Sequence, residues 1–242
     1  MIGDRTYRVF SPPEAGRGAI MFFHGVGGTA SQYADRRDVQ ALASEFRIHF
    51  VATQSAEDEW NIPGAPADYP VGATNEFDYA QEVAADIKKR FGVDHETLLI
   101  AGFSSGAMVV STLACASGES VAAGYAPMSG TMWAPLPSAC PGGPVSLIHY
   151  HGLADGTVPM EGRTVYNSRQ GDVHAAHDLF AATSNYGPTK KRTTTTLNCE
   201  ARSDSADRVL ELCLFEGGHV FNADRLRDAW SAMNLQRGDR DE

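Results

Sequence analysis

Short apolar runs alternate along this chain with longer segments whose apolar residues recur every three to four positions. Gly18–Phe23, Ile48–Ala52, Thr97–Gly102, Ala122–Pro127, Val145–Tyr150 and Val209–Phe215 are nearly continuous apolar runs. Runs of that length predict strands buried on both faces. Thr6–Phe10 predicts an opening strand, ended by the turn Ser11-Pro12-Pro13. Between the runs, Arg36–Phe46, Phe77–Phe91, Ser105–Ala116, Asp172–Thr183 and Ala223–Asn234 have helical spacing, with Val83, Ile87 and Phe91 on one stripe of their segment. Thr193–Cys199 predicts a further strand, and the Pro-, Gly- and acid-rich stretch Thr53–Thr74 a long loop.

Strands alternating with helices predict an α/β protein with a mostly parallel central sheet and helices on both faces. In such sheets, ligands sit at the carboxyl ends of the strands. No internal repeat, low-complexity tract or linker divides the chain, so residues 1–242 are expected to form one domain.

Composition narrows the function classes. With 242 residues, 43% of them hydrophobic, the chain can bury a full core. A formal charge of −10 argues against nucleic acid or an anionic membrane as partner. No apolar run approaches the roughly 18–20 residues of a membrane span. The start, Met1-Ile2-Gly3-Asp4-Arg5, does not read as a signal peptide, as is also true of a chain from which one has been removed.

The cysteines bear on location. A hairpin centred on Ala206 sets Cys199 opposite Cys213, at the cross-strand distance a disulfide needs, and leaves Cys115 to pair with Cys140. Paired, they imply a secreted or periplasmic protein; as four free thiols, a cytoplasmic one.

The chemistry centres on Gly102-Phe103-Ser104-Ser105-Gly106, a G-x-S-x-G pentapeptide between a predicted strand and a predicted helix. A nucleophile elbow needs that setting, because a strained strand–turn–helix lifts the serine hydroxyl clear of the sheet. Serine needs a base, and in this fold an acid and then a histidine follow it in sequence, each after a later strand. Asp155, in His151-Gly152-Leu153-Ala154-Asp155-Gly156, follows Val145–Tyr150, and His219, in Glu216-Gly217-Gly218-His219, follows Val209–Phe215. Ser104, Asp155 and His219 are therefore expected to form a catalytic triad.

His24-Gly25-Val26-Gly27-Gly28 follows another strand, and its glycines allow backbone amides to face a cavity. The amides of Val26 and Ser105 are the candidate oxyanion donors. Trp60, His24 and Phe103 are candidates to face substrate. Trp60 either stacks on substrate or plugs its loop onto the core, and Phe103 either meets substrate or packs beneath the elbow. The other histidines read as structural: His49 and His149 packed or paired in the sheet, His151 bonded to backbone in a turn, and His174 with His177, whose spacing could bind metal but lacks a nearby Cys or carboxylate cluster, on a solvated helix face. Asp94 and His95 read as a turn before a strand, and Asp172 as a helix cap.

Taken in order, Tyr7-Arg8-Val9, His24-Gly25-Val26-Gly27-Gly28, Gly102-Phe103-Ser104-Ser105-Gly106-Ala107-Met108, His151-Gly152-Leu153-Ala154-Asp155-Gly156-Thr157-Val158-Pro159 and Gly217-Gly218-His219 resemble the polyhydroxybutyrate depolymerase and feruloyl esterase-like group of α/β-hydrolases. The resemblance spans nearly the whole chain. It implies a secreted serine esterase cutting hydroxyalkanoate, hydroxycinnamoyl or acetylated-polysaccharide esters, with the triad named above and Trp60 as the group's site-side tryptophan. Two segments depart from the group: Val220-Phe221-Asn222 stands where Trp-Pro is usual, and Asn185-Tyr186-Gly187 where Asn-Gly-Cys is expected.

The expected function is hydrolysis of a small-molecule or polymeric carboxylic ester through an acyl-enzyme, without cofactor or metal, by a monomer or small homo-oligomer. Its rivals are a peptidase or thioesterase on the same fold and a non-catalytic binding protein that keeps the scaffold.

Overall fold

The computed structural model describes residues 5–66 and 75–235. The first four of the residues read for a leader, and the last eight residues of the long loop, lie outside them. The first elements are β1 (Tyr7–Phe10), β2 (Ala19–Phe23), α1 (Ala30–Ala34), α2 (Arg37–Phe46), β3 (His49–Thr53) and α3 (Glu76–Phe91). β4 (Leu98–Phe103), α4 (Ser105–Ser117), β5 (Gly124–Met128), β6 (Trp133–Ala134), β7 (Leu147–Gly152), β8 (Thr164–Val165) and β9 (Ser168–Gln170) follow. α5 (Val173–Ala181), β10 (Lys190–Thr193), β11 (Asn198–Ser203), β12 (Val209–Phe215) and α6 (Ala223–Ala232) complete the order.

The main sheet runs β1-β3-β2-β4-β5-β7-β12-β11-β10. β3, β2, β4, β5, β7 and β12 are mutually parallel, while β1 at one edge and β11 and β10 at the other pair antiparallel. This is the α/β-hydrolase fold, its mostly parallel sheet covered by helices on both faces. On one face α3, α4 and α5 bury Val83, Ile87, Val109, Leu113 and Phe180. On the other, α1, α2 and α6 bury Ala30, Val39, Leu42, Leu226 and Trp230. The central strands are buried along their whole length, which is why their sequences read as unbroken apolar runs.

Helix ends follow local chemistry. Thr29 and Gln32 form a capping box at α1, and Asn75, Asp172 and Asn222 accept the first free amides of α3, α5 and α6. α3 also carries Glu76 and Asp78 in its first turn and Lys88, Lys89 and Arg90 in its last, complementing its dipole.

Three features differ from the sequence reading. Thr193–Cys199 is not one strand: Thr194 bonds Leu197, closing a turn between β10 and β11. The Thr194 hydroxyl holds that turn by accepting from the amides of Thr196 and Leu197. A small second sheet, β6-β9-β8, was not foreseen, since strands of two or three residues are too short to show a period. His177 is not on a solvated face: α5 turns it inward, and burial pulls its pKa down to about 4.

Both disulfides form, Cys199–Cys213 across directly paired positions of β11 and β12, and Cys115–Cys140 tying α4 to the chain before β7. Such bonds favour an extracellular or periplasmic location. Among the described residues, no helix is long and apolar enough to cross a membrane.

Candidate active site

β4 ends on Phe103, and α4 begins on Ser105, so Ser104 alone makes the turn between them. Its backbone sits at φ 57° and ψ −121°, a conformation few non-glycine residues adopt. The flanking glycines make the turn possible. A Cβ on Gly102 would run into the backbone of Gly106, and one on Gly106 would run into the carbonyls of Phe23 and His24. Strand, helix and the chain after β2 therefore close to backbone contact around Ser104, as a nucleophile elbow requires.

β7 and β12, adjacent and parallel, bring the other two groups to the same edge. Their exits are fastened together: the amide of Leu153 donates to the Phe215 carbonyl at 3.0 Å, and that of Ala154 to the Gly217 carbonyl at 2.9 Å. His219 Nε2 lies 2.9 Å from Ser104 Oγ, and His219 Nδ1 lies 2.8 Å from Asp155 Oδ2. The carboxylate can only accept, so Nδ1 carries the proton and Nε2 presents its lone pair to the serine hydroxyl. Asp155 Oδ1 accepts from the amides of Thr157 at 2.9 Å and Val158 at 2.8 Å. Burial by itself raises the Asp155 pKa. The hydrogen bonds from His219 and the Val158 amide outweigh it, so the carboxyl titrates below its ordinary value and stays ionised.

The loop after β2 backs onto Ser104. Gly28 N–H bonds the Gly25 carbonyl in a tight turn that places Gly27 at φ 66°, and Gly27 N–H bonds the Asp58 carbonyl. Neither bond uses the Val26 amide. Ser105 is the first residue of α4, where the helix leaves its own amide unspent. The loop that carries Val26 lies against the turn, since a Cβ on Gly25 would touch the Ser104 Cβ at 3.1 Å.

Trp60 and His24, expected at the substrate face, lie instead in the core, each 1% exposed. Trp60 Nε1–H donates to the His24 carbonyl at 2.7 Å, and its ring packs on Phe23 and His24. Of its two readings, the plug is the one adopted, because the indole is the donor available to the buried His24 carbonyl. His24 Nδ1–H donates to the Gly25 carbonyl at 2.8 Å, and burial lowers its pKa, so it braces the turn as a neutral ring. Phe103 is half-buried and packed against the core, its ring 4.8 Å from the His219 imidazole and 6.2 Å from that of Phe221.

Several supports were missed in the sequence. Phe221 wedges between Phe22, Tyr33 and Phe103, and the buried Arg225 donates to the Val220 carbonyl at 2.6 Å, so the His219 loop is held on both sides. The buried pair Arg5–Glu76, 2.8 Å apart, anchors the Trp60 loop, because Glu76 also accepts from the Asn61 amide at 3.0 Å. Glu59, in the same loop, is raised in pKa by burial, which the nearby Ser105 hydroxyl opposes. His151 and Val158 brace Asp155 from behind; the spacing His151-Gly-x-x-Asp155 was the available signal.

Among the described residues, Cys199, Glu211 and Cys213 bring three possible metal-ligand atoms within 4.8 Å of one another. The sulfurs are joined in the disulfide, and Arg192 holds the Glu211 carboxylate at 2.6 Å, so this group is closed to a metal.

A family model described as Phospholipase/Carboxylesterase matches residues 5–173. NocK, a curated protein of Nocardia uniformis subsp. tsuyamanensis, is 26% identical over 163 residues; the match covers 65% of this chain but only 47% of NocK. Among solved structures, the acetyl xylan esterase from Aspergillus awamori is similar at a TM-score of 0.68 and 13% identity, over 95% of this chain and 93% of that one. A phospholipase/carboxylesterase from Dyadobacter fermentans is similar at a TM-score of 0.58 and 16% identity, over 96% and 97%. FphF, a fluorophosphonate-binding serine hydrolase of Staphylococcus aureus, is similar at 0.60 and 12% identity, over 96% and 92%.

Proposed function

Because this chain belongs to the phospholipase/carboxylesterase family, we propose that it hydrolyses carboxylic esters through an acyl-enzyme on Ser104. The observation that carries the reading is the continuous hydrogen-bonded line from Ser104 Oγ through His219 to Asp155. His219 Nε2 takes the hydroxyl proton as Oγ attacks the ester carbonyl. The ionised Asp155 holds the imidazole in the required tautomer and stabilises the cation that forms. The amides of Val26 and Ser105 receive the charge that develops on the carbonyl oxygen, and loss of one such donor typically costs about 10²–10³ in rate. His219 then returns the proton to the leaving alcohol. Water, deprotonated by the same ring, releases the acid and restores Ser104.

For the substrate, the order of motifs along the chain and the similarity to an acetyl xylan esterase favour short acyl groups on sugars, or hydroxyalkanoate and hydroxycinnamoyl esters. The purified protein should be assayed on aryl acetates, acetylated xylan, hydroxycinnamate esters, hydroxybutyrate oligomers, thioesters and peptides. Ester cleavage well above thioester and peptide cleavage is the expected result. Cleavage confined to peptides or thioesters would overturn the ester reading.

A further inference from the structure

β7 delivers two histidines, His149 and His151, to one face of the sheet, 3% and 0% exposed. Neither takes part in the reaction proposed above, and buried polar rings need partners. They bond each other, His149 Nε2 to His151 Nδ1 at 3.1 Å, and His151 Nε2 lies 2.8 Å from the Val158 carbonyl oxygen. A carbonyl only accepts, so His151 carries its proton on Nε2. Burial keeps the ring neutral, so its Nδ1 accepts from His149 Nε2–H. The line runs in one direction, from His149 through His151 to Val158.

Val158 is where this line meets the acid. Its carbonyl takes the His151 bond, while its amide gives a bond to Asp155 Oδ1 at 2.8 Å. His151 Nε2 also stands 3.9 Å from Asp155 Oδ2, the oxygen that binds His219. A neutral N–H there supports the carboxylate without competing as a second cation for its charge.

We infer that His151 is the positioning residue of Asp155, and that His149, donating to Nδ1, holds the His151 ring in the orientation in which it acts. The inference rests on Asp155 being the acid of the proposed triad.

The test compares His151→Gln with His151→Asn. Both are neutral amides, but only the glutamine amide reaches about as far as Nε2. His151→Gln should keep kcat on a soluble aryl ester within about threefold. His151→Asn should lose about 10–100-fold in kcat with KM within about twofold, the size seen when outer partners of metal-bound histidines are removed. The His219 Nδ1–H proton, read by low-field proton NMR without substrate, should keep its position in the Gln variant and shift or vanish in the Asn variant. His149→Leu leaves the Val158 bond in place and should show a smaller loss of the same kind. Equal kcat in the two amide variants with unchanged proton signals, a change in KM alone, or a wild-type profile for His149→Leu should His151→Asn not fold, would overturn the inference. A wild type that cleaves no ester would sink the proposed reaction, while the proton signal judges the positioning separately.

Discussion

Replacing Asp155 by Asn should reverse the order of hydrogen bonds in the site, and the structure says which way. The Oδ1 position faces two backbone donors, the amides of Thr157 and Val158, at 2.9 and 2.8 Å. An Asn NH2 placed there would set donor against donor and leave buried groups unsatisfied, at about 1–3 kcal/mol each. The amide oxygen must therefore stay on that side, and the NH2 must face His219 Nδ1. That nitrogen then has to accept, which moves the imidazole proton to Nε2, 2.9 Å from Ser104 Oγ. The base loses the lone pair it needs. The same tautomer error in a serine protease triad costs about 10⁴ in kcat, equivalent to about 5 kcal/mol of transition-state stabilisation. The assay is kcat for a soluble aryl acetate at pH 7–8, beside thermal melts showing that Asp155→Asn folds. A loss smaller than about tenfold in a folded variant would refute the reasoning.

Other outcomes follow from buried groups. His177 titrates near 4 when folded, chiefly through burial, against an ordinary 6.5; the unfolded chain binds the extra proton between those values, so stability is full above pH 6.5 and falls as pH drops towards 4. The loss is at most about 3 kcal/mol at 1.36 kcal/mol per unit, and His177→Leu should flatten the pH dependence of the urea midpoint; an unchanged slope would count against it. The pair Cys115–Cys140 closes a separation of 25 residues, so the double Ala variant should lose about 2–4 kcal/mol in urea unfolding. Trp60→Phe removes the donor to the His24 carbonyl and should cost about 1–3 kcal/mol, lowering kcat more than it raises KM. A raised KM with unchanged stability would restore Trp60 to the substrate face.

The fold and the meeting of Ser104, Asp155 and His219 at one sheet edge were legible because both are written in local pattern and chain order. β2, β3, β4, β5, β7 and β12 are covered on both sides, so their sequences are almost wholly apolar. Ser104, Asp155 and His219 each sit where such a run stops. What the sequence hid depends on contacts between distant residues. Nothing in Glu59-Trp60-Asn61 shows that the indole reaches back to a carbonyl 36 positions earlier, which turns an apparent substrate platform into a core plug. His177 read as solvated because no Cys or carboxylate cluster in the sequence joins it and His174 in a metal site, yet the packing of α5 decides which of the two turns inward. The disulfide register was legible for Cys199 and Cys213 because a hairpin has a fixed pairing rule, and even there the strand boundary was misplaced by the turn at Thr194–Leu197.

The central claim is that Ser104 is the nucleophile, activated by His219. Fluorophosphonate labelling followed by peptide mass spectrometry addresses it directly. One adduct is expected, on the peptide carrying Ser104, absent from Ser104→Ala and formed far more slowly by His219→Ala. Equal labelling of Ser104→Ala, or an adduct on another residue of the folded wild type, would contradict it.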